Sequence, residues 1–346
     1  MPTPSAPPEP PDPLAVARFA HDVVRTAPWL DDAKPVVVAV SGGSDSLALL
    51  ALAHAHWGPV RCLAATVDHG LRSASAQEAL TVARLCATLG IGHAILIGPL
   101  PDRAAGTANV SQRARTLRYD RLMAHASAVG AAAVLTAHHA DDQLETLVMR
   151  LNRGSGLAGL SGIRAVNGNV VRPLLGWTRA ELAVITRDCG LRPVDDPANA
   201  DDRYDRARLR KVLATTSLFD VAAVARSVAA LGEAEAALDA VATTRCAELP
   251  GDGTVTPLDL DLRDLPVDLI RRISLRCVAR LDPAARPRRS TIERLGRLQP
   301  GEKLSIGDVV VAFERVPVDG SGEVFWPIYR FALAPARRPT RNAAHN

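Results

Sequence analysis

Lysine is nearly missing from this basic chain. Of its 41 Lys and Arg residues only Lys34, Lys211 and Lys303 are lysines, and none of them follows a glycine. That excludes the G-x-x-x-x-G-K-[ST] phosphate loop, which needs a Lys on the phosphates. Aromatic residues make up only 3% of the chain. The core must therefore be mostly Ala, Leu and Val, which suits helices packed on a parallel sheet. The five cysteines (Cys62, Cys86, Cys189, Cys246 and Cys277) are widely spaced, with no C-x-x-C among them. Such spacing argues against a zinc ribbon, a redox pair or a Cys-ligated cluster, and it suits a reducing, cytoplasmic setting. No stretch is apolar and long enough to span a membrane. The opening MPTPSAPPEPPDP lacks the basic start and apolar core of a signal peptide and reads as a disordered, Pro-rich lead-in over residues 1–13.

What is present is organised around Val36 to Ser46, VVVAVSGGSDS. An apolar run dominated by β-branched residues predicts a central strand buried on both faces. Gly42 and Gly43 permit a tight turn and a close backbone approach to a ligand. Asp45 and Ser46 then open an apolar-periodic helix over Leu47 to His56. Strand, Gly-rich turn and helix N-terminus together make a cradle for phosphate, because free N–H groups and the helix dipole both favour an anion. The SGGSDS turn resembles the PP-loop of ATP pyrophosphatases, which cleave ATP between its α- and β-phosphates.

Strands and helices alternate from there. Arg61 to Val67, His93 to Ile97 and Ala131 to Ala137 read as strands. Ser75 to Leu89, Asn109 to Val129 and Asp141 to Arg153 read as helices. The pattern predicts a doubly wound parallel sheet, with ligands at the carboxyl ends of its strands. Each polar cluster, SGGSDS, DHGLR and HHADDQLET, lies just after a strand. Gly154 to Gly162 (GSGLAGLSG) contains a formal G-x-G-x-x-G, but it follows a helix and lacks the βαβ frame of a dinucleotide site. It reads as a mobile loop beside the site. Val170 to Leu175 is a candidate strand, Thr178 to Cys189 a helix opened by a Thr cap, and Arg203 to Lys211 a basic helix. An Ala-rich helical linker spans 219–249. A smaller α+β domain covers 250–335, with a basic tail over 336–346. These divisions leave 14–218 as the catalytic domain.

Asp142 and Glu145 are three residues apart and share one helix face. The pair could hold an ammonium group or magnesium, or simply cap a solvated helix, which is worth about 1 kcal/mol. A His-His-Asp zinc site lacks the H-x-x-x-H spacing of one helix face. Arg115 and Arg118 also share a face; anion recognition competes there with an ordinary exposed arginine face.

SGGSDS, VDHGLR, ARTLRY, LTAHHADDQLETLVMRLNRGSGLAGLSGI, RPLL and DDPANADDRYDRARLR occur in that order over residues 34 to 213. Together they closely resemble the tRNA(Ile)-lysidine synthetases. The resemblance implies a PP-loop ATPase domain of the adenine nucleotide alpha hydrolase-like type. It also implies a two-step ligation with ATP as co-substrate and Mg2+. The wobble cytidine of a CAU-anticodon tRNA(Ile) is adenylated, and the amine of L-lysine then displaces AMP to give lysidine. ATP would be bound by Ser41, Gly42, Gly43, Ser44, Asp45, Ser46 and His69, with Asp45 also at the magnesium ion. Asp142 and Glu145 would hold lysine. Asp45, Asp142, Glu145 and Arg115 would be the catalytic group, and Arg118, Arg153, Arg206, Arg208 and Arg210 would face tRNA. Several such enzymes are dimers, so a homodimer is among the arrangements implied. Two positions depart from the family pattern: Arg113 stands where Glu is frequent, and Ala207 where Asn is usual.

The rivals are a PP-loop tRNA thiolase, a small-molecule synthetase of the same superfamily, and a non-catalytic ATP sensor or RNA scaffold. Thiolases generally rely on reactive cysteines, and apart from Cys189 after a helix none flanks a motif here. The arginines of the C-terminal third (Arg271, Arg272, Arg276, Arg280, Arg286, Arg288 and Arg289) favour a polyanionic substrate. A scaffold predicts no tRNA-dependent AMP release.

Overall fold

The computed structural model describes residues 8–30, 33–68, 75–98, 110–194, 205–251, 257–317 and 325–334. The lead-in before residue 8, His69, the 195–204 segment and the basic tail lie outside the described residues. The chain divides into two compact units, Met1–Gly232 and Glu233–Asn346. The division falls within one helix, α9 (Val221–Glu248).

The first unit carries a six-stranded sheet. Its strands are β1 (Val36–Ala39), β2 (Cys62–Asp68), β3 (His93–Ile97), β4 (Ala133–Leu135), β5 (Val166–Asn167) and β6 (Val170–Val171). Their spatial order is β3-β2-β1-β4-β6-β5. Every pair is parallel except the β5–β6 edge hairpin. β1 is central, and Val36, Val37 and Val38 are wholly buried, as the unbroken apolar run requires. Helices α1 (Pro13–Thr26), α2 (Ser44–Arg61), α3 (Ser75–Thr88), α4 (Val110–Ala128), α5 (Ala140–Leu151) and α7 (Arg179–Asp188) belong to the same unit. α2 starts three residues earlier than its apolar periodicity suggests, because Gly43 serves as its N-cap. It is interrupted at Gly58 (φ +74°), just before Pro59.

The strand expected over Val170 to Leu175 is cut to two residues. Pro173 has no N–H for the ladder, and Arg172 N–H already turns to Ala165 O at 2.8 Å. Order β3-β2-β1 on one side and β4-β6 on the other puts the topological switch between β1 and β4. In such sheets the ligand crevice opens there, beyond the carboxyl ends of the strands.

The second unit has a four-stranded antiparallel sheet, order β7-β10-β9-β8. Its strands are β7 (Leu258–Asp261), β8 (Lys303–Ile306), β9 (Val309–Pro317) and β10 (Phe325–Leu333). Helices α10 (Val267–Leu281) and α11 (Arg289–Leu295) pack with it around Ile273, Cys277, Leu295, Val311 and Phe331. β8 escapes sequence reading, because four residues of alternation are too few to register without its partner β9. Several arginines of this unit are spent internally. Arg272 binds Glu235 at 2.7 Å and Asp268 at 2.6 Å, Arg276 binds Asp239 at 2.7 Å, and Arg280 donates to Gly251 O at 2.7 Å. These three therefore stabilise the fold and do not form a free basic face.

Candidate active site

The phosphate-type loop follows β1 directly. Gly42 has φ +88°, and a Cβ there would approach Val194 Cγ2 at 3.3 Å and Val82 Cγ2 at 3.4 Å. Both the backbone and the space thus call for glycine. Its carbonyl accepts from Val194 N–H at 2.9 Å. Ser46 is buried and ties the loop to itself: its Oγ donates to Gly43 O at 2.8 Å and accepts from Ser41 N–H at 3.2 Å. Ser44 Oγ lies 3.2 Å from Thr186 Oγ1 of α7. Asp45 stands in the first turn of α2, where the uncapped N–H groups gather.

On the other side of the switch, His139 caps α5 and is 2% exposed. Its Nε2 lies 3.3 Å from Asp45 Oδ2 and 3.6 Å from Asp142 Oδ2, and its Nδ1 lies 3.4 Å from Asp141 Oδ2. Burial alone would lower its pKa, but Asp141, Asp45 and Asp142 outweigh burial and raise it to about 9. The imidazolium joins the phosphate-loop carboxylate to the α5 carboxylates. Asp141 has a second task, accepting Arg179 N–H at 2.8 Å at the start of α7. There Thr178 is the cap that the sequence implied, and Glu181 completes it as a capping box.

Asp142 and Glu145 do share a face of α5, and a basic helix closes over them. This helix, α8 (Asp205–Ala214), presents Arg206 and Arg210 to the pair. Arg206 Nη2 meets Asp142 Oδ1 at 2.7 Å, and Arg206 Nε meets Glu145 Oε2 at 2.7 Å. Arg210 Nε meets Glu145 Oε1 at 2.8 Å. Arg179 Nη2 stands 3.6 Å from the same oxygen. Burial would raise the Glu145 pKa, but Arg210 and Arg206 reverse that and hold it below its ordinary value. The carboxylate is therefore a buried anion saturated by guanidinium groups. Arg208 lies exposed on the same helix, and Arg153 is exposed in the turn after α5.

The Gly154 to Gly162 segment is not the loose loop its composition suggests. It contains a short helix, α6 (Leu157–Leu160). Arg150 Nη1 donates to the carbonyls of Gly159 and Gly162, and the Gln143 amide pairs with Ile163 N–H at 2.7 Å and Ile163 O at 3.0 Å. Gly162 has φ +68°, with Gln143 and Val228 in the space a Cβ would need. Gly162→Ala is therefore expected to destabilise this unit by about 2–3 kcal/mol. Differential scanning calorimetry would show it as a lowered first transition; an unchanged thermogram would refute the strain argument. Gln143 and Arg150 carry no sequence signal beyond lying within the D-Q-x-E-T helix, since their partners are backbone N–H and carbonyl groups 9 to 20 residues away.

Arg115 and Arg118 of α4 stand around Tyr119, their guanidinium carbons 5.2 and 5.9 Å from the ring centroid. Among the described residues no group of three or more His, Cys, Asp or Glu side chains is arranged to hold a metal ion, and no helix is long and apolar enough to cross a membrane. All five cysteines are free and buried.

This crevice, with a Gly-rich anion cradle on one side and an acidic pair, buried Glu145 and half-buried Asp142, on the other, is that of a PP-loop nucleotide-binding domain, and the model of that domain matches residues 15–216. The fold agrees with the U34-tRNA thiolase NcsA from Methanococcus maripaludis (TM-score 0.52, 18% identity, covering 63% of this chain and 79% of that one). Among curated proteins, the tRNA(Ile)-lysidine synthase of Novosphingobium aromaticivorans is 49% identical, covering 65% of this chain and 68% of its own length. That of Zymomonas mobilis is 37% identical, covering 87% of this chain and 89% of its own length. The chain belongs to the tRNA(Ile)-lysidine synthase family.

Proposed function

We propose that this protein ligates L-lysine to C2 of the wobble cytidine of CAU-anticodon tRNA(Ile), in the cytoplasm, through an adenylated tRNA intermediate. The observation that carries this reading is the His139 bridge between Asp45 and Asp142. It links the Ser41 to Ser46 turn to the Asp142–Glu145 pair across one crevice, which supports a reaction that activates a base with a nucleotide phosphate and then attaches an amine to it.

The chemistry needs both halves. A cytosine oxygen is a poor leaving group, whereas AMP is a good one. ATP lies with its phosphates over Ser41 to Ser46, at the N-terminus of α2. The C2 oxygen attacks the α-phosphorus and pyrophosphate leaves. The lysine amine then forms the C2–N bond as the C2–O bond to AMP breaks. Asp142 and Glu145 hold the lysine side chain as its ammonium, of free pKa about 10.4; it gives a proton to one of these carboxylates or to water before its nitrogen attacks C2. Asp45 offers a hard, partly exposed carboxylate, fit to share a magnesium ion with phosphate oxygens. Such an ion would neutralise charge on the phosphates.

Arg206 and Arg210 hold Asp142 and Glu145, where on this reading the lysine cation binds. Lysine entry therefore requires α8 to release the acidic pair, and tRNA phosphates are the natural competing partners for its arginines. Substituting both Arg206→Ala and Arg210→Ala is expected to tighten lysine binding by the tRNA-free protein about tenfold, one buried charge contact being worth that or more. Calorimetric titration with lysine measures it. Weaker binding would mean that the two arginines build the lysine site.

The deciding experiment is incorporation of labelled lysine into a tRNA(Ile) CAU transcript with ATP and magnesium, beside a transcript whose wobble C is U. Label in the first alone is expected. No label but tRNA-dependent AMP release would keep the adenylation and replace the nucleophile.

A further inference from the structure

The Ser41 to Ser46 turn is not held by β1 and α2 alone. The segment 178–194, which carries α7, fastens it from behind. Val194 N–H donates to Gly42 O at 2.9 Å. Thr186 Oγ1 lies 3.0 Å from Ser44 O, and Ser44 Oγ donates to Thr186 Oγ1 at 3.2 Å. Thr186 is buried. A threonine inside a helix can spend its proton on the carbonyl four residues back, and Leu182 O stands there at 2.9 Å. α7 by itself therefore satisfies this hydroxyl. The two contacts with Ser44 are additional, and they reach both the main chain and the side chain of one residue.

The other end of α7 is fastened to the acidic half of the crevice. Ala140 N–H, the first of α5, donates to Trp177 O at 2.7 Å, and Arg179 N–H donates to Asp141 Oδ2 at 2.8 Å. Arg179 and Thr186 are seven residues apart on α7, about 10 Å of helix rise. A helix pinned at both points is a spacer of fixed length between the α5 carboxylates and the anion cradle. What it grips at the cradle matters. α2 has no side-chain cap, and the N–H groups of Ser46 and Leu47 both return to Gly43 O at 3.1 Å. Among the described residues that leaves the N–H groups of Ser44 and Asp45 at the head of the helix for an anion. Ser44 O and Asp45 N–H belong to one planar peptide group. Whatever holds Ser44 O therefore also aims Asp45 N–H.

We infer that Thr186 is a positioning residue for the adenylation step. It acts through Ser44: by holding the Ser44 carbonyl and hydroxyl it fixes the direction of the Asp45 N–H toward the phosphates. The inference rests on the ligase reading for its kinetic assay, and on the fold alone for the change in ATP binding.

The test uses the full chain. Thr186→Val keeps the shape of the side chain and removes the hydroxyl, Thr186→Ser keeps the hydroxyl, and Thr186→Ala is the second hydroxyl-free protein should valine not fold. Circular dichroism and thermal melting establish which are folded. ATP affinity is measured by calorimetric titration, and tRNA-dependent pyrophosphate release and lysine attachment by steady-state kinetics. Thr186→Val is expected to weaken ATP binding about fivefold, the worth of one net hydrogen bond. It should lower kcat for pyrophosphate release about tenfold, because small displacements of donors that meet developing charge are costly. KM for lysine should stay within about twofold, since the Asp142–Glu145 pair is untouched. Thr186→Ser should bring ATP binding and kcat most of the way back. In a Ser44→Ala background, Thr186→Val should cost clearly less than tenfold, because one of the two contacts is already gone. Folded hydroxyl-free variants that bind and consume ATP within twofold of the parent would overturn the role. So would a serine variant no better than valine, which would mean packing alone, or an undiminished loss in the Ser44→Ala background, which would mean action without Ser44. If the parent releases no pyrophosphate with tRNA(Ile), yet Thr186→Val loses ATP binding and Thr186→Ser regains it, the positioning role stands and the ligase reading falls.

Discussion

Asp45→Asn is expected to reduce tRNA-dependent pyrophosphate release by about 10^3-fold, while the protein remains folded. The isosteric amide keeps the size of the side chain in the first turn of α2, so packing is preserved. What changes is charge. The carboxylate faces His139 Nε2 at 3.3 Å and sits where the α2 N-terminus meets the crevice. Losing a group that stabilises charge in phosphoryl chemistry typically costs about 10^2–10^3-fold. Here the variant also removes the one loop carboxylate suited to a magnesium ion and leaves a buried imidazolium with one acidic neighbour fewer. The assay is pyrophosphate release with and without the tRNA(Ile) transcript, beside a thermal melt. A folded variant within tenfold of the parent would remove Asp45 from the adenylation step.

Much of this crevice can be read from residue order alone. The doubly buried β1, the glycine turn and the start of α2 are local features, each specified within a dozen residues. The shared face of Asp142 and Glu145 follows from helix geometry. Contacts between distant segments were not legible. Nothing in R-A-R-L-R-K says that Arg206 and Arg210 will close on carboxylates more than 60 residues earlier. The identity of the partner depends on the sheet bringing α5 under α8. Arg172 is hidden for the same reason. It reads as a strand residue before Pro173, and only the β6 position beside β4 sets it near Tyr119. His139 looks interchangeable with His138 in sequence. The structure separates them: acids surround one and raise its pKa, while burial and arginines lower that of the other. In the second unit, seven arginines favoured a polyanionic substrate; three of them, Arg272, Arg276 and Arg280, are engaged by acids and carbonyls of their own fold.

Glu145→Gln separates the two halves of the proposed reaction. Its carboxylate is 3% exposed and takes three short contacts from Arg206 and Arg210. A neutral amide in that position leaves two guanidiniums with much weaker partners. Removing one side of a buried charge pair costs about 3–5 kcal/mol, which for a ligand held by the same carboxylate is about 10^2–10^4-fold in affinity. The KM for lysine should therefore rise by at least about 100-fold. Tyrosine-flanked Arg115 and the Ser41 to Ser46 loop are untouched, so tRNA-dependent pyrophosphate release in the absence of lysine should stay within a few-fold of the parent. α8 should also loosen, and limited proteolysis between residues 205 and 214 should become faster in Glu145→Gln than in the parent. The informative comparison is with the double substitution of Arg206 and Arg210. That protein should share the loosened α8 yet keep, or improve, its hold on lysine. If both proteins lose lysine equally, the acidic pair serves only to anchor α8, and the amine must be bound elsewhere in the crevice. If Glu145→Gln instead loses ATP binding, Glu145 belongs to the nucleotide half of the site.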